Sequence, residues 1–379
     1  MKKTMAVLLA LCMLLGAASL AWGEETPITV TEIQKYGNLV LSVPGSELMG
    51  RGYAYGDVVT VTLNGQEYDM PVGSNYSDVD QGSMICRVVV KPDLGEDYVV
   101  LAINMGDLAT AAGIAVKEKT ETDPGYIWHY SVEEPVTVSF AMKEAGGYYD
   151  EYVIHQLVRS ENRDDYPDLT DEQFANFRAV KVTGVGENKL YRSSSPVNPE
   201  ISRNQQADAA AKAAGVKTFI NLADNEETMK GYEGFSDSYY AGQSFVCLNL
   251  GVDFSAPDFE EGLAEGLRFI AKNEAPFLVH CNEGKDRAGF VSAVLEALMG
   301  AGGDEITADY MVTFFNYYGV QPGTEQYDVI ARSNIQKTLA TAFGIDSIFA
   351  DGLQDAAVRY LEKIGLTAEE IQAVQEKLR

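Results

Sequence analysis

The chain has few cysteines and few histidines for its 379 residues. Once the first 23 residues are set aside, three cysteines remain, namely Cys86, Cys247 and Cys281. An odd, small number excludes a disulfide framework, so at least one thiol is free or reactive. The three histidines lie far apart, and no cluster has the spacing of zinc ligands. We therefore predict no metal site and no cofactor.

Basic residues are also scarce, with 29 Lys and Arg against 56 Asp and Glu and a formal net charge of −27. Such a surface repels nucleic acid and anionic membranes, so neither is an expected partner. A polyanionic substrate would need a local basic pocket. After the start of the chain, no stretch approaches the ~20 apolar residues of a membrane span.

The first 23 residues have the pattern of a secretory signal peptide. Lys2 and Lys3 form a basic start, residues 5–20 are apolar, and Ala21 and Gly23 are small residues at the usual offsets for cleavage. The residue immediately before Cys12 is Leu11 rather than a small residue, which argues against a lipoprotein anchor. We expect a secreted or extracytoplasmic protein without a stable membrane anchor.

The rest of the chain changes character along its length. Residues 24–119 contain short β-branched segments such as "VVTVTL" and "CRVVVK", and Asn64-Gly65 indicates a hairpin. Residues 120–175 are polar and aromatic, and we interpret them as a linker or interface elaboration, in which "EEPVTVSFAM" could add a strand.

From residue 176 to residue 379, strand patterns alternate with helix patterns. The strands include "VKTFINL", "SFVCLNLGV" and "PFLVHC", and the helices include "QQADAAAKAAG", "FEEGLAEGLRFIAKN" and "AGFVSAVLEALMG". This alternation predicts an α/β fold with a central, mostly parallel sheet flanked by helices on both faces.

The stretch "FLVHCNEGKDRAGF" places Cys281 between a buried strand and a helix start. Gly284 permits tight curvature, so several backbone N–H groups can turn toward one centre and, with the helix dipole, bind an anion. The planar fork of Arg287 suits two oxygens of a phosphate. The same electrostatics favour the thiolate of Cys281, which predicts a nucleophile and a phosphocysteine mechanism. The predicted substrate-binding residues are Asn282, Glu283, Gly284, Lys285, Asp286 and Ala288.

The pattern His280-Cys281-x5-Arg287 resembles the signature of the cysteine-dependent protein tyrosine phosphatase superfamily. It is most similar to the bacterial branch with His-Cys-x-x-Gly-Lys-Asp-Arg, which includes phosphotyrosine and phosphoinositide phosphatases, and the related PTP-like phytases share much of the layout. The resemblance covers about 200 residues and implies a tyrosine-phosphatase-like catalytic domain at 176–379. It implies that His280 orients the loop, and that Arg192 supports the loop or forms a structural ion pair.

The resemblance also implies a general acid on a loop before the cysteine. Asp253, in "VDFSAP", resembles the phytase-like Thr-Asp-x-x-x-Pro pattern and is the predicted acid. Asp258 competes for this role, with a helix N-cap as its structural alternative.

Two departures from the family pattern bear on activity. Ala288 stands where relatives carry Thr or Ser, which predicts slower hydrolysis of the phosphoenzyme. Residues 221–223 read Asn-Leu-Ala where relatives often have Asp-Leu-Arg, so that arginine's substrate contact is missing.

Two side chains of the site region, Lys285 and Cys247, have alternative interpretations. Lys285 either favours a multiply phosphorylated substrate or is simply solvent-exposed, while Asp286 braces the loop. In some relatives a second cysteine protects the first, which for Cys247 means a disulfide with Cys281; packing in a core strand is the alternative.

The stretch "YSDVDQGSMICRVVV" and the later "YVVLAINMGDLATAAGI" resemble the small β-barrel C-terminal domain of SAM-hydroxide adenosyltransferases. The resemblance implies a barrel at 24–119 and places Asn104 and Gly106 near that family's nucleoside site. Because the family's catalytic domain is absent, we expect an accessory domain that is structural or presents substrate.

Together these patterns predict an exported phosphatase that hydrolyses phosphomonoesters, phosphotyrosine or phosphoinositide. The expected partner is a phosphorylated small molecule, lipid headgroup or peptide. The alternatives are a PTP-like phytase or inositol polyphosphate phosphatase, and a non-catalytic phosphate-binding module.

Overall fold

The computed structural model describes residues 27–121 and 124–379, so the predicted signal peptide lies outside the described residues. The described chain forms two compact units, which divide between His155 and Gln156. Within these residues, every helix is too short or too polar to cross a membrane.

The first unit is built around a closed seven-stranded barrel in the order β1-β2-β6-β5-β4-β3-β9. Its neighbouring strands run antiparallel, except that β4 and β5 run parallel. Strands β7 and β8 form a separate antiparallel pair. The strands are β1 (Ile28–Ile33), β2 (Leu39–Leu41), β3 (Val58–Leu63), β4 (Gln66–Gly73), β5 (Met84–Lys91), β6 (Glu96–Ile103), β7 (Ala115–Lys119), β8 (Tyr126–Tyr130) and β9 (Thr137–Glu144). Three short helices accompany them: α1 (Gly45–Gly50), α2 (Leu108–Ala111) and α3 (Tyr149–His155).

Along the barrel strand β3, side chains alternate between the core and the outside. In β3, Val59, Val61 and Leu63 are buried, while the residues between them are partly exposed. The predicted hairpin is confirmed, because Asn64 and Gly65 both have positive φ and join β3 to β4.

The barrel extends beyond the predicted boundary at residue 119. Strand β9 pairs with both β1 and β3 and closes the barrel, so "EEPVTVSFAM" does contain a strand. Only Val138 of β9 is buried, so the strand needs few apolar side chains. Residues 120–175 therefore have a mainly polar composition although they include a barrel strand. The predicted linker 120–175 is divided between the two units at residue 155.

The second unit contains a five-stranded sheet in the order β10-β11-β14-β12-β13. Strands β11, β14, β12 and β13 are parallel, and the short edge strand β10 is antiparallel. This is the predicted α/β architecture. The strands are β10 (Arg178–Ala179), β11 (Leu190–Ser193), β12 (Thr218–Asn221), β13 (Ser244–Cys247) and β14 (Phe277–His280).

Helices surround this sheet and one of them is central. Helix α8 (Asp286–Met299) is buried on almost every side, which fits its nearly continuous apolar sequence. It ends at Gly300, where φ is +98°, as the sequence predicts. The other helices are α4 (Asp171–Phe174), α5 (Asn204–Ala213), α6 (Glu226–Lys230), α7 (Pro257–Lys272), α9 (Gly303–Tyr318), α10 (Glu325–Ala331), α11 (Lys337–Phe343), α12 (Leu353–Lys363) and α13 (Ala368–Leu378), with a π turn at Arg332–Gln336.

Candidate active site

Cys281 follows β14, the central strand of the parallel sheet, and is 3% exposed. Ligands of parallel α/β sheets bind at the carboxyl ends of such strands. Residues 281–287, which we name the phosphate loop, lead directly from this strand into the buried helix α8. The position is the one that the sequence predicts for a phosphate-binding nucleophile.

The carbonyl groups in the phosphate loop are turned toward the surrounding scaffold. The carbonyl of Asn282 accepts from the Ser195 amide at 2.8 Å. The carbonyl of Glu283 accepts from the Tyr317 hydroxyl at 2.9 Å and from Asn176 Nδ2 at 3.1 Å. Because the N–H of a peptide points away from its C=O, the amides of this segment turn toward the concave side of the loop, where an anion can bind.

Arg192 continues this support and is itself 1% exposed. Its Nη2 donates to the Gly284 carbonyl at 2.9 Å, and its Nη1 contacts Asp309 Oδ2 at 2.8 Å. Both sequence interpretations of Arg192 therefore describe real contacts, since it supports the loop and forms a buried ion pair. Sequence reasoning missed Asp309, which lies in an unremarkable helical segment without any motif.

Asp309 stands in a buried group of charges behind the phosphate loop. It also pairs with Arg178, at 2.9 Å. Although burial opposes ionisation, the two arginines lower the pKa of Asp309 to about 2. Burial, together with Asp309, raises the pKa of Glu296 well above its usual range. The arginines therefore favour the ionised form of Asp309, while burial and Asp309 oppose ionisation of Glu296.

Both the backbone conformation and the close neighbours of position 284 require a glycine there. Its φ is +70°, and a Cβ atom at this position would lie 2.2 Å from the Ser193 carbonyl oxygen. The loop therefore passes too close to β11 for any side chain.

Arg287 connects the phosphate loop with the loop that carries the predicted general acid. Its Nη1 donates to the Leu250 carbonyl at 2.9 Å. We name residues 248–256 the acid loop, which runs from β13 to α7. Its second anchor is Phe254, whose ring stacks on Phe290 of α8 with centroids 4.5 Å apart.

Asp253 is exposed on the acid loop. Its Oδ1 accepts from the Ser255 hydroxyl at 2.7 Å and from the Ser255 amide at 3.0 Å. These hydrogen bonds lower the pKa of Asp253. Its role as general acid stays a prediction. The N-cap interpretation of Asp258 is wrong, because α7 begins at Pro257 with Ala256 as its N-cap, so Asp258 lies inside the first turn.

Three other loop side chains form ion pairs at the rim. Glu283 Oε2 lies 2.7 Å from Arg159 Nη1 and 3.2 Å from Lys285 Nζ, which also lies 3.8 Å from Asp286 Oδ2. Asn282 Oδ1 accepts from Asn198 at 3.4 Å. The simple solvent-exposure interpretation of Lys285 is wrong, and Arg159, from the segment predicted as linker, was missed.

His280 lies beneath the loop and is fully buried. Its Nε2 is 3.2 Å from the Tyr240 hydroxyl. Burial lowers the pKa of His280 to about 4, although Asp224 opposes this shift. The imidazole is therefore neutral near pH 7 and suits the predicted role of orienting the loop, rather than acid–base chemistry.

Cys247 and Cys281 are both free thiols. Cys247 ends β13, which β12 separates from β14, so the two residues are about two strand spacings, or ~10 Å, apart. A disulfide needs Cα atoms within ~7 Å, so this backbone does not allow the bridge. Cys247 instead packs at 3.4 Å from the Met229 sulfur, and burial raises its pKa to about 12.

The remaining predicted positions have defined places. Ala288 is completely buried in the first turn of α8. Asn221 binds Asp224 at 3.0 Å, so this part of the atypical Asn-Leu-Ala stretch is structural. In the barrel, Asn104 and Gly106 line one cavity of about 780 Å³ with Tyr36 and Tyr76, and nothing there tests the accessory role.

The arrangement brings together a sulfur nucleophile, an anion-binding loop and a guanidinium. Over residues 27–121 and 124–379, no three His, Cys, Asp or Glu side chains are grouped to hold a metal ion. The loop that carries Asp253 contacts this arrangement where Arg287 Nη1 donates to the Leu250 carbonyl. Such a constellation can transfer a phosphoryl group through the cysteine.

Comparison with known families agrees with both sequence resemblances. A model described as "Tyrosine phosphatase family" matches residues 172–379, more than half of the chain. A model of the SAM hydroxide adenosyltransferase C-terminal domain matches residues 28–121. No curated protein matches the chain.

Several solved structures resemble parts of the chain. The core catalytic domain of the PP-IP phosphatase SIW14 from S. cerevisiae is 21% identical, with 44% of this chain and 91% of that chain covered and a TM-score of 0.28. TpbA from P. aeruginosa, in complex with pTyr, is 19% identical, with 48% and 95% covered and a TM-score of 0.28. An uncharacterised Thermotoga maritima protein is 20% identical with a TM-score of 0.23, and the 32% of this chain that matches spans 40% of that one.

Proposed function

The chain belongs to the tyrosine phosphatase family, and from this membership we propose that it is an exported phosphatase that hydrolyses phosphomonoesters through a phosphocysteine intermediate on Cys281. Phosphatase activity follows from the family. The observation that supports the cysteine mechanism most strongly is the position of Cys281, which begins a loop whose carbonyl groups the scaffold holds outward.

In the first step, the thiolate of Cys281 attacks phosphorus and the ester P–O bond breaks. Asp253 gives its proton to the leaving oxygen, so the alcohol departs neutral. The loop amides and the Arg287 guanidinium stabilise the charge on the equatorial phosphoryl oxygens. In the second step, a water molecule attacks phosphorus, Asp253 takes its proton, and the S–P bond breaks to release phosphate and the thiolate.

Phosphotyrosine or a phosphoinositide is the substrate class that we propose. The support is the resemblance of "HCNEGKDR" to the branch that acts on these substrates. The signal-peptide pattern in residues 1–23 supports an extracytoplasmic location, where the substrate would be environmental or supplied by another organism.

Hydrolysis of para-nitrophenyl phosphate by the wild type and by Cys281→Ser tests the mechanism. We expect activity in the wild type that EDTA leaves unchanged, and none above background in the variant. Cys247→Ser is the matched control, because this thiol does not lie in the phosphate loop, and it should retain hydrolysis. Activity that survives Cys281→Ser would disprove the cysteine mechanism, and a folded wild type without activity would identify a phosphate-binding module.

The substrate class requires a panel of phosphopeptides, phosphoinositides and phytate. The values of kcat/KM rank the three classes directly. A preference for phytate would replace the proposed substrate class with that of a PTP-like phytase.

A further inference from the structure

A line of alternating charges runs along one side of the phosphate loop. From the interior outward it comprises Arg203, Glu161, Arg159, Glu283 and Lys285. Successive partners lie 3.3, 2.9, 2.7 and 3.2 Å apart. Each interior cation is therefore matched by a carboxylate, and Lys285 meets two, with Asp286 as the second.

Glu283 is the member of this line that belongs to the phosphate loop itself. Its carboxylate lies between Arg159 and Lys285, the two cations nearest to the loop's outer edge. Although burial opposes it, these cations lower the pKa of Glu283, so the group is ionised at neutral pH. Glu283 is thus the one carboxylate of this line that contacts both cations, while Glu161 is the second partner of Arg159 and Asp286 the second partner of Lys285.

The geometry fixes Glu283 in this place. Its carbonyl oxygen accepts hydrogen bonds from Tyr317 and Asn176, so the backbone cannot swing outward. Arg159 is fixed as well, because its guanidinium lies 5.1 Å from the centre of the Tyr317 ring and also pairs with Glu161. A second phosphate on a substrate would have to compete with the Glu283 carboxylate for Arg159 and Lys285.

We infer that Glu283 determines specificity by withholding Arg159 and Lys285 from a second phosphate, which makes the site selective for substrates with one phosphate group. This inference rests on the proposed function, because it assumes that the first phosphate binds in the phosphate loop. It narrows the substrate to a single phosphomonoester, such as a phosphotyrosine side chain. The same carboxylate repels a polyanion, and the net charge of −27 adds to that repulsion at long range.

Glu283→Gln removes the charge and keeps the shape. Two inhibitors of para-nitrophenyl phosphate hydrolysis provide the readout: inorganic phosphate for one phosphate, and inositol hexakisphosphate for several. We expect the inhibition constant for inositol hexakisphosphate to fall about tenfold, since Arg159 and Lys285 lose the carboxylate that they share, while that for phosphate changes less than about twofold. The gain should disappear at high salt.

Two further variants isolate the cause. Glu161→Gln removes the same charge from the neighbouring carboxylate of the line, and Glu283 still pairs with both Arg159 and Lys285. The ratio of the two inhibition constants should therefore not change. Adding Lys285→Gln to Glu283→Gln should cancel most of the gain, because it removes one of the released cations.

An unchanged ratio in folded, active Glu283→Gln would overturn the inference and leave the proposed function intact. If Glu283→Gln does not fold, Lys285→Gln alone decides, because a cation already paired with Glu283 contributes nothing to a second phosphate. Weaker inhibition by inositol hexakisphosphate in Lys285→Gln would then overturn the inference, and an unchanged ratio would support it. A wild type without hydrolysis of para-nitrophenyl phosphate would instead disprove the proposed function.

Discussion

The phosphate loop and the acid loop lie next to each other and differ in how their functional residues are held. The backbone carbonyls of the phosphate loop bind residues from distant parts of the chain, including Tyr317 and Arg192. The predicted acid on the acid loop, Asp253, instead hydrogen-bonds to Ser255, two residues further on. The start of the acid loop is also held, because the amides of residues 248–250 donate to carbonyls of residues 221–224. Beyond it, the Leu250 carbonyl accepts from Arg287 and the Phe254 ring stacks on Phe290.

This difference corresponds to different tasks. A loop that stabilises charge in the transition state works best when its dipoles are fixed before the substrate arrives. A general acid must follow the leaving group and exchange its proton in two successive steps, which a locally organised, exposed loop allows. Substitutions of distant partners should therefore impair the phosphate loop, while the position of Asp253 should depend most on its neighbour Ser255.

The largest effect is expected from removal of the acid. Asp253→Asn should lower kcat for a phosphotyrosine peptide about 10³-fold, because the leaving oxygen loses its proton donor, and should remove the basic limb of the pH–rate profile. Asp258→Asn, in the first turn of α7, is the matched control and should keep that limb. Loss of the limb in Asp258→Asn alone would assign the acid to Asp258.

Gly284→Ala should break the phosphate loop's geometry. The new Cβ would meet the Ser193 carbonyl, so the loop must move by an ångström or more, and kcat/KM should fall about 10²-fold. Gly344→Ala provides the control, because Gly344 has a similar φ of +65° but open space around its Cβ position. That variant should lose stability but not activity, as measured by thermal melting and para-nitrophenyl phosphate hydrolysis. Equal losses of activity in both would show that strain, rather than the contact with β11, is responsible.

A smaller change, and a gain, is expected at Ala288. In Ala288→Ser a hydroxyl is restored where relatives have one, and it should stabilise the departing thiolate and raise turnover about fivefold, the equivalent of ~1 kcal/mol. Single-turnover measurements of phosphoenzyme breakdown provide the check. Equal or lower rates would mean that the buried alanine does not limit hydrolysis.

The smallest effect concerns the pH dependence of the acid loop. The Ser255 hydrogen bonds lower the pKa of Asp253, so the protonated acid is lost at lower pH than usual. Ser255→Ala should raise this pKa and move the basic limb of kcat/KM to higher pH. The double variant Ser255→Ala/Asp253→Asn should have no basic limb and serves as the control. A basic limb that stays at the same pH in Ser255→Ala would show that the Ser255 hydroxyl does not bind Asp253 during catalysis.

Much of the fold and part of the site could be predicted from local patterns. The strand, loop and helix around Cys281 follow from a buried run, a glycine-containing turn and an apolar helix pattern. The strand in "EEPVTVSFAM" could be predicted, but its place in the barrel could not, because β9 exposes most of its side chains and shows no alternation that marks a core face. Asp309 and Arg159 have no recognisable motif, since their importance comes only from the partners that folding brings to them.

The sequence by itself determined the α/β architecture and predicted the candidate nucleophile and phosphate-binding loop, because each depends on residues that are close in the chain. The tertiary structure decided what surrounds the loop. It placed Arg192 on the Gly284 carbonyl, separated Cys247 from Cys281 by a strand, and paired Lys285 with Glu283. Charges and hydrogen bonds of this kind depend on distances between remote segments, and only the folded chain sets those distances.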